Sequence, residues 1–173
     1  PALFQILDSA DQLSAIKRLL KNLNVDDEKY PPRELANYIN AHKEQGIRAA
    51  QAEAYDEYTS RRAALYAEYD AQCQREGVVD FAELLLRTYE LLVRNEPLCQ
   101  HYQKRFRHIL VDEFQDTNAV QYAWLRFLAK GGESLMVEGD DDQSIYGWRG
   151  AKIENIQQFD QDFADAEIIR LEQ

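Results

Sequence analysis

Two short apolar runs end abruptly in acid, and they constrain the fold more than any other feature of the chain. Ile109, Leu110 and Val111 lead into Asp112 and Glu113, while Leu135, Met136 and Val137 lead into Glu138, Gly139 and three aspartates, 140–142. Aliphatic and β-branched runs without polar alternation are the pattern of strands buried on both faces. Between them, Thr117 or Asn118 opens a stretch in which Val120, Ala123, Trp124, Phe127 and Leu128 recur at helical spacing, and Gly131-Gly132 closes it. Two strands joined by a helix-length connection run parallel, so this part of the chain reads as α/β. In open sheets of that kind ligands bind beyond the carboxyl ends of the strands, which is where both sets of acids lie.

Neighbouring residues on an extended chain point to opposite sides, so Asp112 and Glu113 are expected to do different work. One carboxylate suits a hydrated Mg²⁺ and the other a water. Magnesium takes one or two carboxylates and completes its shell with waters and substrate phosphates, which makes a nucleoside triphosphate the natural ligand. A bare acidic pair after a strand equally well caps the next helix. The second stretch, LMVEGDDDQSIYGWRGA, decides against capping alone, because it repeats the apolar run ending in acid and adds a polar, aromatic segment held between Gly147 and Gly150.

HILVDEFQDT at 108–117 and GDDDQSIYGWRGA at 139–151 resemble motifs II and III of the UvrD, Rep and PcrA group of superfamily 1 DNA helicases. The likeness extends from FQILDSADQ near the start, through VVDFAELLLRTYELL, to IIRLEQ at the end. It implies an α/β protein in two parts. Residues 1–104 would be a helical 1B-like subdomain, and residues 105–173 part of a RecA-like 1A motor subdomain with a parallel sheet and flanking helices. The implied activity is ATP-dependent DNA unwinding with 3′ to 5′ translocation, with ATP and Mg²⁺ as cofactors. Single-stranded and partially duplex DNA would be the substrate, and DNA-repair proteins the partners. By the same resemblance Asp112 coordinates Mg²⁺, Glu113 is the general base, and Gln143 senses the γ-phosphate. Tyr146, Trp148 and Arg149 contact single-stranded DNA, with Trp148 stacking on a base, and Gln115 and Asp116 brace the site. Glu138 departs from the pattern, which usually has an apolar residue there. A helicase subunit of a RecBCD- or AddAB-like nuclease complex and a non-catalytic DNA-binding or scaffold module are the alternatives.

The formal charge of −11 and pI near 4.7 exclude a protein that binds nucleic acid with its whole surface, because phosphate contacts need Lys and Arg, so any DNA site is local. Cys73 and Cys99 lack metal-ligand spacing and there are only three histidines, which argues against zinc and for reduced thiols. No apolar run approaches the ~20 residues of a membrane span and no signal pattern opens the chain, so a soluble cytoplasmic protein is expected. The chain starts at Pro1 and contains no GxxxxGKS/T phosphate loop. It is therefore expected to be a piece of a longer protein, carrying half of an ATP site and inactive alone.

Residues 1–104 read as helical. Ser9 and Gln12 have capping-box spacing ahead of Leu13, Ile16, Leu19 and Leu20; Pro31-Pro32 opens a second helix over Leu35, Tyr38 and Ile39; and Gly46 ends it. The alanine-rich stretch 47–76 contains no Gly or Pro and reads as one helix, on which Tyr55, Tyr58, Tyr66, Tyr69 and Cys73 form a stripe, a packing seam with its hydroxyls at the edge. Arg61 and Arg62 read as solvated. Asp80 caps a further helix with Glu83 at its third position and Phe81, Leu84, Leu85, Tyr89 and Leu92 inward. HYQKRFRH at 101–108 is the one dense basic patch, serving as a phosphate-facing surface or as a linker. A short helix over 153–159 and a third strand over 166–171 complete the reading.

Overall fold

Asp8 starts the first helix by supplying what the chain lacks there, an acceptor for an unpaired backbone N–H. In the computed structural model, which describes residues 3–140, 158, 159, 161–163, 167 and 169, its side chain accepts from the Asp11 amide at 2.7 Å. The cap is thus one residue earlier than the Ser9 spacing predicts, because Asp8 is extended (φ −74°, ψ 177°) whereas Ser9 is already helical. Helix α1 (Ser9–Asn22) buries Ile16, Leu19 and Leu20. Helix α2 (Pro32–Glu44) begins at the expected proline pair, buries Leu35 and Ile39, and ends where Gly46 adopts φ +78°.

The predicted 47–76 helix is shorter than its composition suggests. A 3-10 turn at Ala49–Gln51 is followed by irregular chain, and helix α3 (Glu57–Glu76) starts only at Asp56. Asp56 and Thr59 form a reciprocal cap, with the Thr59 amide donating to Asp56 at 2.7 Å and the Asp56 amide donating to Thr59 Oγ1 at 3.1 Å. The tyrosine stripe divides accordingly. Tyr66 and Tyr69 are fully buried, with the Tyr66 hydroxyl on the Ile47 carbonyl (2.9 Å) and the Tyr69 hydroxyl on Asp80 (2.8 Å), so their hydroxyls lie inside rather than at an edge. Tyr55 precedes the helix and is 76% exposed. Arg62 is not simply solvated, since its guanidinium lies between the rings of Tyr38 (4.3 Å) and Tyr58 (5.0 Å).

Residues 1–104 are not all helical. Strand β1 (Gln5–Leu7) pairs in parallel with strand β2 (Val78–Asp80), Ile6 opposite Val79. Gly77, at φ +66°, closes α3 in the left-handed conformation and turns the chain directly into β2. Three-residue strands are too short to show a period in sequence, which is why the pair escapes a pattern reading. Helix α4 (Phe81–Arg94) has the expected Asp80 cap on the Glu83 amide (2.7 Å), but Phe81 is exposed and Ala82 and Leu86 are buried in its stead. Asn95 ends α4 and caps helix α5 (Glu96–Arg105), so most of the basic patch is helical. Arg107 at its end pairs with Glu133.

Strand β3 (His108–Val111) and strand β4 (Ser134–Val137) pair in parallel, Val111 opposite Val137, on either side of helix α6 (Ala119–Ala129), as the apolar runs predict. Asn118 caps α6 together with Gln121. Val120, as expected, is buried, and Tyr122 and Leu125 are buried with it and join Phe114 beneath Ile109, Val111, Leu135 and Val137; the expected Trp124 and Phe127 are half-buried, with Phe127 facing Tyr89 of α4. The helix is covered on two sides, so its inner face is displaced from the predicted stripe. The strands are not buried on both faces among the described residues, since Leu110 and Met136 are 71% and 62% exposed. Most of the segments expected at 153–159 and 166–171 lie outside the described residues.

Candidate nucleotide site

At the carboxyl ends of β3 and β4 the ladder continues beyond the strands. The Glu138 amide donates to the Val111 carbonyl at 2.8 Å and the Phe114 amide to the Glu138 carbonyl at 2.9 Å. Asp112 and Glu113 occupy the corner between these two bonds. Their separation does not come from strand alternation, because the chain turns at Glu113, which sits at φ 52°, ψ 45° with its amide on Asp112 Oδ1 (3.0 Å). A non-glycine residue in the left-handed region costs of order 1 kcal/mol or more, and such strain concentrates where function requires it. A 3-10 turn, Phe114–Asp116, follows, and its Phe114 side chain anchors the corner in the apolar core.

Gln115 braces the corner, as the resemblance implies. Its side-chain amide donates to Glu113 Oε2 and accepts from the Asp140 amide at 3.0 Å. Asp116 contributes differently, with one carboxylate oxygen buried and lacking a hydrogen-bond partner among the described residues. A cleft of about 1290 Å³ runs past Asp112, Glu113 and Asp116 to Trp124 and, on its other wall, to Leu7 and Asp8 of the β1–α1 junction. That wall had no signal in the sequence, because it depends on β1. The Trp124 indole N–H in the same cleft is likewise buried without a partner among the described residues.

Glu138 meets the site electrostatically. A hydrogen bond to Asp112, reinforced by the negative charges of Asp112 and Glu113, holds its carboxyl above the ordinary carboxylate range. The donors at the corner are carboxylate and amide oxygens, which suit a hard divalent cation. No three acidic, His or Cys side chains among the described residues converge as a protein-only cage. Such a donor set would fit a divalent cation that shares its shell with waters and phosphates. Gln143, Tyr146, Trp148 and Arg149 lie outside the described residues.

The chain matches the UvrD/REP helicase N-terminal domain over residues 1–164. It is 53% identical along its whole length to DNA helicase II of Escherichia coli (strain K12) and 54% identical to DNA helicase II of Haemophilus influenzae. Over 98% of its length it is 44% identical to the ATP-dependent DNA helicase PcrA of Staphylococcus aureus. The chain spans about a quarter of the length of these relatives, 24% in each case. With a family match over nearly all of its residues and an acidic corner at the carboxyl end of a parallel strand pair, the chain belongs to the UvrD/REP helicase family, in its N-terminal domain.

Proposed function

We propose that this chain is part of an ATP-dependent DNA helicase that moves 3′ to 5′ on single-stranded DNA, with residues 1–104 as a 1B-like subdomain and 105–173 as part of the 1A motor. The observation that carries the reading is the corner at Asp112 and Glu113, set by parallel strands and tied through Gln115 to the Gly139–Asp140 backbone. Glu113 takes the proton from a water that attacks the γ-phosphorus as the bond to the β–γ bridging oxygen breaks. Bound Mg²⁺ supplies neutralisation of charge on the phosphate oxygens, and Asp112 holds it. Gln143 senses the γ-phosphate. Tyr146, Trp148 and Arg149 grip the single strand, so nucleotide state and DNA position are read by one short segment. Cytoplasmic location and contact with DNA-repair proteins accord with this work, and no helix among the described residues is long and apolar enough to cross a membrane.

The test is unwinding by the full-length protein of duplexes carrying a 3′ or a 5′ single-stranded tail. ATP-dependent unwinding of the 3′-tailed duplex alone is expected, and a preference for the 5′-tailed duplex overturns the polarity. The 173-residue chain by itself contains no phosphate loop, and isolated carboxylates hold Mg²⁺ weakly. It should show no DNA-stimulated ATP hydrolysis, and turnover abolished by Glu113→Gln would refute that expectation.

A further inference from the structure

We infer that Gln115 is a positioning residue that locks the Glu113 carboxylate to the Gly139–Asp140 backbone, so that the water-activating group and the start of the 139–151 segment move as one. The inference rests on the reading of Glu113 as the general base. Gln115 is 1% exposed, and both ends of its amide are used, Nε2 donating to Glu113 Oε2 and Oε1 accepting from the Asp140 N–H at 3.0 Å. The amide can lie only one way round. Reversed, it would set its NH₂ against the Asp140 N–H and its oxygen against a carboxylate, which are two repulsions in place of two hydrogen bonds.

Two further features of the corner require that link. Glu113 is held at φ 52°, a conformation that persists only where the surroundings over-determine it. Gly139 lies close against Gln115: a Cβ there would be 2.8 Å from Gln115 Oε1 and 3.4 Å from both the Gln115 backbone nitrogen and Phe114 Cβ. A side chain at 139 would therefore displace the nearest atom, the amide oxygen that receives the Asp140 N–H. A displacement of the 139–140 backbone pulls on this amide and so on the carboxylate hydrogen-bonded to its other end.

Steady-state ATP hydrolysis by the full-length protein on single-stranded DNA tests this with three variants. Gln115→Met keeps the volume and loses both hydrogen bonds; Gly139→Ala leaves Gln115 in place and displaces its amide. Each should lower kcat by roughly 10- to 100-fold, the cost of misplacing a reacting group by about 1 Å, with KM for ATP within about twofold of the parent. In the double variant the losses should fail to multiply, since both act through one contact. Parental kcat in Gln115→Met, or losses that multiply in the double variant, overturn the inference. If Gln115→Met does not fold, Gly139→Ala decides alone: reduced kcat at unchanged KM supports the link and parental kcat overturns it. Glu113→Gln keeps the two readings apart. Turnover retained in Glu113→Gln refutes the general base itself, whereas an inactive Glu113→Gln beside a fully active Gln115→Met refutes only the coupling.

Discussion

Lys43 and Asp80 are separated by 37 residues in sequence and meet at 2.9 Å, their side chains 1% and 3% exposed. The same ammonium reaches Asp70 and Glu83, each at 2.9 Å. Asp80 in turn caps α4 through the Glu83 amide and accepts the Tyr69 hydroxyl, so one carboxylate joins α2, α3 and α4. Burial alone would depress the Lys43 ammonium, but Asp80, Glu83 and Asp70 outweigh it and hold its pKa above the ordinary lysine value.

Replacing Lys43 by Met keeps the volume but leaves carboxylates facing one another in the interior. Removing one partner of a buried ion pair costs about 3 to 5 kcal/mol. Lys43→Met should lower stability by that order in urea denaturation. A loss below about 1 kcal/mol, the usual size for an exposed pair, would show that the cluster is open to water.

Acid should weaken the same cluster through Glu83. Burial pushes this carboxyl up, but Lys43 and Arg48 pull harder and lower it from 4.5 to about 2. A depressed folded-state pKa gives stability that is complete above the ordinary value and is lost as pH falls from about 4.5 through about 2, roughly 3 kcal/mol at most. Asp70, raised by burial, works in the opposite sense and recovers part of that loss on protonation. Urea midpoints measured between about pH 5 and pH 3 should therefore fall, and Glu83→Gln should flatten the slope. An equally steep slope in Glu83→Gln would assign the acid sensitivity elsewhere.

In the full-length protein, Glu113→Gln should leave nucleotide and DNA binding intact while lowering turnover by roughly 10² to 10⁴, the value of general-base assistance. Asp112→Asn should in addition weaken Mg²⁺-dependent nucleotide binding, measured with a fluorescent ATP analogue at varied Mg²⁺. Equal effects of the two changes on binding would contradict the division of roles.

The two tryptophans should respond in opposite ways. Trp148→Ala should weaken single-strand binding by roughly five- to 150-fold, the equivalent of ~1 to 3 kcal/mol for one stacked base, with nucleotide affinity unchanged. Trp124 is half-buried against the Phe114 core, so Trp124→Ala should cost on the order of 2 kcal/mol, less than the 3 to 5 of a fully buried ring. Thermal melts and DNA titrations of both variants check this. A destabilised Trp148→Ala with parental DNA affinity would make Trp148 a core residue.

The acidic corner was legible in the sequence because everything that marks it is covalently local. An apolar run, the acids that end it and the helix that follows are contiguous, and the parallel sense of the β3–β4 pair needs only the rule that a helical crossover joins parallel strands. The cap at Asp80 was legible for the same reason, since a cap and its partner lie three residues apart, while the helix start at 117–118 was legible only to within one residue. Tertiary structure alone decided what depends on distant residues. The β1–β2 pair joins positions more than seventy residues apart through strands too short to carry a period, and it forms one wall of the cleft. Which side of α4 and α6 turns inward was set by what packs against each helix, so Phe81 lies outside and Leu86 inside. Lys43, by its type a surface residue, is buried because three carboxylates from two other elements and a connecting strand converge on it. The Gln115 bridge required both the left-handed turn at Glu113 and the close approach of Gly139, and neither can be read from a list of neighbours along the chain.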